Sequence, residues 1–124
     1  MIEPTLSPAA AHVLALIRRQ YAGTSLVEIS NMLSAAGFDP TGDVTITHPS
    51  DPNLIIWMGA SDLLADVLNE LVQARLVHYQ DTNPLVYAYD GGGLTLPIAN
   101  RPPRQGYKSP HWLPIVVNAG PPTA

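Results

Sequence analysis

Apolar residues recur at helical spacing in three segments of the chain, and polar cap residues mark where the first two begin. Ser7-Pro8 supplies an N-cap serine followed by proline at the first helical position. Ser25 and Glu28 have the spacing of a capping box, and Gly37 can take the left-handed conformation that ends a helix. The pattern predicts two helices with buried stripes formed by Ala10, Val13, Leu14 and Ile17, and by Leu26, Ile29, Met32 and Leu33.

The third segment has the most regular pattern. Ser61 is placed to cap a helix that we predict to span Asp62–Arg75. Its apolar positions all fall on one side of that helix, which predicts burial of Leu64, Val67, Leu68 and Leu71.

Short runs of β-branched and apolar residues, bounded by turn residues, predict strands. Residues 44–47 and 54–57 form one predicted hairpin around a connection rich in proline. Residues 77–80 and 85–89 form a second one, joined by the turn sequence Asp81-Thr82-Asn83-Pro84. Residues 94–98 are a candidate edge strand.

The register of the second hairpin is open at this stage. A four-residue loop places His78 opposite Tyr87, whereas a three-residue loop places Tyr79 opposite Tyr87. In both registers each face of the sheet keeps apolar groups, which indicates that other elements cover both faces.

The C-terminal segment differs in composition from the rest of the chain. From Pro97 onward there are seven prolines in 28 residues, which predicts irregular or polyproline-like backbone. We therefore expect one mixed α/β (α+β) domain over residues 1–99, with the order helix, helix, hairpin, helix, hairpin. A proline-rich basic tail over residues 100–124 is expected to pack on this body or on a partner, because its run from Trp112 to Val117 is apolar.

Three features of residues 61–89 and of the residues just before them occur together: the Gly59-Ala60-Ser61 start, the apolar spacing of the third helix continued by Leu76-Val77, and a predicted hairpin ending in Tyr87-Ala88-Tyr89. With these features, residues 61–89 resemble the recognition helix and wing of a winged helix-turn-helix domain. The resemblance implies a winged-helix-like fold in which that helix enters the major groove of DNA and the hairpin contacts phosphates.

Charge and spacing depart from what DNA binding by this helix requires. Residues 37–60 separate the second helix from the third, whereas a helix-turn-helix places its helices three or four residues apart. Phosphate contacts supply most of the affinity for DNA, and they need positive groups. The exposed row of the third helix instead reads Asp62, Asp66, Asn69, Glu70 and Gln73.

Composition narrows the possible functions further. The chain has 124 residues, of which 13% are charged and none is cysteine, so disulfides, thiolate metal sites and cysteine nucleophiles are excluded. Residues 1–90 hold all ten acidic residues and three arginines, a net charge of −7, while residues 91–124 carry +3. An acidic body with a basic tail fits either a binding arm or a tail that lies on its own body.

No catalytic or metal-binding pattern emerges. The four histidines never take a metal-ligand spacing, and the pairs His48/Asp51 and His78/Asp81 suit turn hydrogen bonds. There is no Gly-x-Ser-x-Gly nucleophile motif, and the glycines after Asp90 are typical of a turn. We expect no enzyme activity, no cofactor and no metal.

Two groups of residues are candidates for contact with a partner. Asp62, Asp66 and Glu70 form either a solvated face or a surface for a basic partner. Basic and aromatic residues alternate in the tail, which suits packing on the body, protein contact, or stacking with single-stranded nucleic acid. The tail candidates are Arg101, Arg104, Tyr107, Lys108 and Trp112.

These observations predict a non-catalytic binding module, regulatory or accessory, that acts through protein contact or self-association. The alternative is a DNA-binding regulator of the winged-helix class that uses the tail or Arg18-Arg19 in place of the acidic helix. No apolar run is long enough to span a membrane, and residues 1–4 lack the features of a signal peptide. The expected location is the cytoplasm.

Overall fold

A computed structural model describes residues 5–20, 23–99 and 106–121. The described chain is of mixed α/β type, with helices packed on two small sheets. In chain order the elements are α1 (Pro8–Arg19), α2 (Leu26–Ala35), β1 (Thr41–His48), β2 (Asp51–Ala60), α3 (Asp62–Gln73), β3 (Val77–Asp81), α4 (Leu85–Asp90), β4 (His111–Trp112) and β5 (Ile115–Ala119).

The first three helices begin at the serines that the sequence indicates. The Ser7 hydroxyl accepts a hydrogen bond from the Ala10 N–H in α1, and the Ser61 hydroxyl accepts one from the Leu64 N–H in α3. At α2 both bonds of the capping box between Ser25 and Glu28 are present. These bonds satisfy N–H groups that have no partner inside the first helical turn.

The end of α2 and the buried face of α3 also agree with the predictions from the sequence. Gly37 has a φ of +90°, and the Phe38 N–H donates to the Leu33 carbonyl oxygen at 2.8 Å, which is a Schellman end. The third helix ends at Gln73, two residues before Arg75. Its predicted buried residues are all at most 2% exposed, namely Leu64, Val67, Leu68 and Leu71.

The strands form two separate sheets. In the first, β1 and β2 are antiparallel and β2 pairs with β4 in parallel, so β2 is central. In the second, β3 and β5 are antiparallel over five residue pairs, from Val77 with Ala119 to Asp81 with Ile115. The strand at 115–119 thus supplies the partner that residues 85–89 were expected to provide.

The predicted second hairpin is wrong, because residues 85–90 form the short helix α4. Asn83-Pro84 starts a helical turn instead of joining two strands. The Asn83 side chain accepts from the Leu85 N–H at 2.9 Å, its carbonyl oxygen accepts from the Val86 N–H at 3.0 Å, and Pro84 has a helical φ of −58°. Gly91, with a φ of +94°, ends the helix one turn later.

The prediction of irregular backbone throughout the tail is also wrong, since residues 106–121 include β4 and β5. The run Ile115-Val116-Val117 is β-branched and suits a strand, and all three side chains are buried. The expected edge strand at 94–98 is reduced to a single bridge between Ile98 and Trp112.

The core joins all of these elements. Helices α1, α2 and α3 contribute their predicted stripes, except that Met32 of α2 is half-buried and outside the core. Strand β2 contributes Leu54 and Ile56, and the tail strands contribute Trp112, Ile115 and Val117. Residues 106–121 are therefore part of the folded body. Within residues 5–20, 23–99 and 106–121, no helix has both the length and the apolar character needed to cross a membrane.

Candidate protein-binding surface

The three acidic residues of α3, which we call its acidic row, lie in two different environments: two face solvent, and one connects α3 to α1. Asp62 and Asp66 are exposed. Glu70 is half-buried, and its two carboxylate oxygens accept hydrogen bonds from the Ser7 N–H and the Ser7 hydroxyl, each at 2.8 Å. A carboxylate at the N-terminus of α1 is favoured by the helix dipole, so Glu70 joins α1 to α3.

A groove with a volume of about 480 Å³ lies beside this row, between the start of α1, the end of α2 and α3. Its lining is mostly apolar; we call the apolar part of the lining the floor, and the polar part, formed by Ser7, Asp66 and Glu70, the rim. Two members of the predicted acidic contact row therefore border an apolar depression. The floor residues are Pro8, Ala9, Phe38, Leu63 and Val67.

Local structure fixes the groove walls. The Schellman end of α2 turns Phe38 towards α1, where its ring centroid lies 6.2 Å from that of His12. Leu63 and Val67 are four residues apart and so lie on the same side of α3. The Ser7–Glu70 bonds hold α1 against α3 at the rim, so the groove is preformed.

Of the three acidic residues predicted to contact a partner, Asp66 and Glu70 border the groove and Asp62 does not, and the groove itself was not predicted from the sequence. Phe38 and Leu63 are half-buried and were not among the contact candidates. A signal does exist in the sequence, because Leu63 extends the apolar side of α3 towards Asp66. The position of Leu63 indicates a groove only once Phe38 and α1 are known to lie next to α3, and that arrangement depends on tertiary structure.

The structure describes Tyr107, Lys108 and Trp112 of the predicted tail patch, and these residues lie in different surroundings. The Tyr107 ring is half-buried and stacks on the His111 ring, with centroids 3.8 Å apart and planes 18° from parallel. Lys108 is exposed. Arg101 and Arg104 lie outside the described residues.

Trp112 belongs to the core rather than to a contact surface. Its side chain is 4% exposed and packs edge-on against Tyr87, with ring centroids 5.2 Å apart. Its indole N–H has no hydrogen-bond partner among the residues described, so the indole is held by apolar and aromatic packing, while the Trp112 backbone bonds to Pro97 and Ala99. Its assignment as a contact residue is therefore corrected, because burial of the large indole stabilises the fold.

A second polar cluster anchors the loop at residues 106–108. The Asp51 carboxylate accepts hydrogen bonds from the Asn53 N–H and the Tyr107 N–H, each at 2.9 Å. The Asn53 side chain in turn donates to the Tyr107 carbonyl oxygen at 2.6 Å. The N–H groups of Asn53 and Tyr107, with smaller contributions from His111 and His48, hold the pKa of Asp51 below its ordinary value.

His48 makes hydrogen bonds within its turn, as expected, but its partner is Ser50 rather than Asp51. The Ser50 N–H lies 3.1 Å and the Ser50 hydroxyl 2.8 Å from His48 Nδ1. His78 contacts the Gly120 carbonyl oxygen at 3.0 Å. In the part of the chain that the structure describes, no three acidic or histidine side chains are grouped so that they could hold a metal ion.

Comparison with protein-family models, curated proteins and solved structures yields no match for this chain.

Proposed function

We propose that this protein is a non-catalytic binding module that holds a basic segment of a protein partner in the groove between α1 and α3. The observation that carries the proposal is the exposed Asp66 carboxylate on the rim of an apolar groove, next to a second carboxylate, Glu70, that is bonded to Ser7. A partner segment that fits must supply an apolar anchor for the floor and a lysine or arginine for the rim.

The two parts of the groove contribute differently to binding. The floor offers apolar side chains that are already fixed in place, so burying an anchor there gives affinity without reordering the site. The exposed Asp66 carboxylate favours a cationic partner and increases the rate of association, and salt weakens this contribution.

The polar groups of the groove favour binding over catalysis. Ser7 donates its hydroxyl hydrogen to Glu70 and accepts from the Ala10 N–H, so its oxygen is occupied as a helix cap. Glu70 is occupied by both bonds from Ser7. Asp66 remains as the carboxylate available for a partner, and an exposed carboxylate on its own suits recognition.

A fluorescent peptide with leucine and lysine at helical spacing tests the proposal, together with a counterpart in which glutamate replaces every lysine. Fluorescence anisotropy should show binding of the basic peptide only, and the affinity should fall as salt is raised. Asp66→Lys should weaken binding by about tenfold or more, because it places a like charge on the rim. Leu63→Asn should weaken it by removing part of the floor.

Asp81→Lys is the matched control, because it makes the same charge change at an exposed residue that does not line the groove. It should leave peptide binding nearly unchanged. Equal effects of Asp66→Lys and Asp81→Lys would contradict the groove as the binding site. Sequence-selective binding of duplex DNA at physiological salt, tightened by Asp66→Lys, would favour the DNA-binding alternative instead.

A further inference from the structure

A histidine lies next to the groove, on the exposed side of α1. His12 is exposed, and its ring centroid lies 6.2 Å from that of Phe38, which belongs to the groove floor. His12 also lines a second apolar depression on α1, and this depression shares Pro8 with the groove. A partner segment that packs on Phe38 and Pro8 therefore lies close to the imidazole ring.

The other three histidines lie away from the groove. His48 is at the end of β1, His78 is on β3 and His111 is on β4, and none of them lines the groove. Histidine is the side chain whose charge ordinarily changes between about pH 5 and 8. His12 is therefore the histidine through which a change of pH in this range can act directly on the groove.

The charged side chains near His12 on the neighbouring elements are acidic. Asp66 and Glu70 lie on the groove rim, and Asp39 and Asp62 are the chain neighbours of two floor residues. Among the described residues that line the groove or the second depression there is no lysine or arginine. On α1 itself, no residue within four positions of His12 is charged. Protonation of His12 therefore adds a positive charge to a surface that otherwise attracts cations.

We propose that His12 makes binding of the basic partner segment dependent on pH, with weaker binding when its imidazole is protonated. This inference rests on the proposed function of the groove. Carboxyl groups ordinarily titrate near about pH 4 and lysines near about pH 10, so neither class changes charge in the range in which histidine does. As the pH falls through that range, repulsion between the His12 imidazolium and the cationic partner increases, and affinity decreases.

Fluorescence anisotropy with the basic leucine–lysine peptide, at about pH 8 and at about pH 5.5, tests the inference on the full chain. The peptide is acetylated and amidated at its ends, so that no terminal group titrates in this range. The dissociation constant of the wild-type protein should be about twofold to fivefold higher at the lower pH, as expected for exposed unit charges within about 10 Å of each other. Lower salt should increase this ratio, because it reduces screening.

Variants at His12 separate its titration from other effects of pH. His12→Gln should remove the difference between the two pH values, and His12→Lys should give weak binding at both. Both changes fall on an exposed side chain, and circular dichroism verifies that the fold is retained. His48→Gln removes a histidine that does not line the groove, so it is the matched control and should keep the pH dependence.

Two results would overturn the inference while leaving the groove as the binding site. One is equal affinity of the wild-type protein at both pH values, and the other is a pH dependence that His12→Gln leaves intact. Absence of peptide binding at about pH 8 would contradict the proposed function itself, and this inference with it.

Discussion

The Tyr87 hydroxyl donates a hydrogen bond to the backbone carbonyl oxygen of Ile115 at 2.6 Å. The hydroxyl oxygen of Tyr87 also accepts a hydrogen bond from the Leu26 N–H at 3.1 Å, so one side chain connects α4 to the start of α2 and to β5. Its ring also packs against Trp57 and Trp112. Burial raises the pKa of Tyr87 well above its ordinary value, so the hydroxyl stays protonated and keeps its donor role.

Removing this hydroxyl should destabilise the protein without creating a large cavity. Tyr87→Phe keeps the ring but leaves the Leu26 N–H and the Ile115 carbonyl oxygen without the partner that each has in the native fold. The expected loss is about 2–4 kcal/mol in the free energy of unfolding, measured in urea. Tyr89→Phe, which removes a hydroxyl from a side chain that is 92% exposed, should change it little. Equal losses for the two variants would mean that the buried bonds do not hold α4.

Local signals were enough to predict the three long helices from sequence. Each of Ser7, Ser25 and Ser61 caps a turn only three residues away, and Gly37 ends α2 through bonds to its own last turn. Interactions of this range are encoded by neighbouring residues. The mixed α/β class follows because short β-branched runs stand between the helical segments.

Strand pairing and the groove depend on residues that are far apart in the chain. Residues 85–89 and 115–119 are similar in their apolar content, and both could have paired with β3. Strand β3 pairs with β5 because Asn83-Pro84 starts α4, which makes residues 85–89 helical, and because pairing with β5 buries Ile115, Val116 and Val117. The groove forms where Phe38 and Leu63 both lie beside the start of α1, and no spacing in the sequence indicates that these residues line one site.

The backbone conformation at Gly106 should be difficult for any other residue to adopt. Gly106 has a φ of +83°, and a Cβ atom placed there would lie 2.9 Å from Asp51 Oδ2. Gly120 has a φ of +93°, but a Cβ atom there would meet nothing within 4 Å. Gly120→Ala should therefore cost about 1–2 kcal/mol from backbone strain alone, and Gly106→Ala should cost more, because it also displaces the Asp51 carboxylate. Thermal unfolding of the two variants measures the difference, and equal costs would show that the contact with Asp51 is easily relieved.

Asp51 should make the protein sensitive to acid. Its pKa is lowered in the folded state by the N–H groups of Asn53 and Tyr107, with smaller contributions from His111 and His48. A lowered pKa stabilises the fold at pH values above the ordinary value of 3.8, and this stabilisation is lost as the pH falls through the lowered pKa. Asp51→Asn should therefore reduce stability at neutral pH and flatten its decline below about pH 4. Asp43→Asn, at an exposed residue of β1, is the control, and identical acid-unfolding curves for the two variants would contradict this role.

The tail strands supply apolar surface that the body needs. Trp112, Ile115 and Val117 are each at most 4% exposed, and β5 is the strand that pairs with β3. Burying one such side chain contributes roughly 1.5–3 kcal/mol, so losing all three removes an amount comparable with the net stability of about 5–15 kcal/mol that is typical of a domain.

Truncation after Asn100 should therefore unfold the protein or make it insoluble, because it removes these side chains and leaves β3 without its strand partner. Circular dichroism and thermal unfolding measure the loss.

A separate measurement on the chain without truncation uses Trp57→Phe, which leaves Trp112 as the one tryptophan. At 4% exposed, Trp112 should be poorly quenched by iodide until urea unfolds the protein. Strong quenching under native conditions, or a truncated chain with unchanged stability, would mean that β4 and β5 detach from the body in solution and that the tail acts as a free arm.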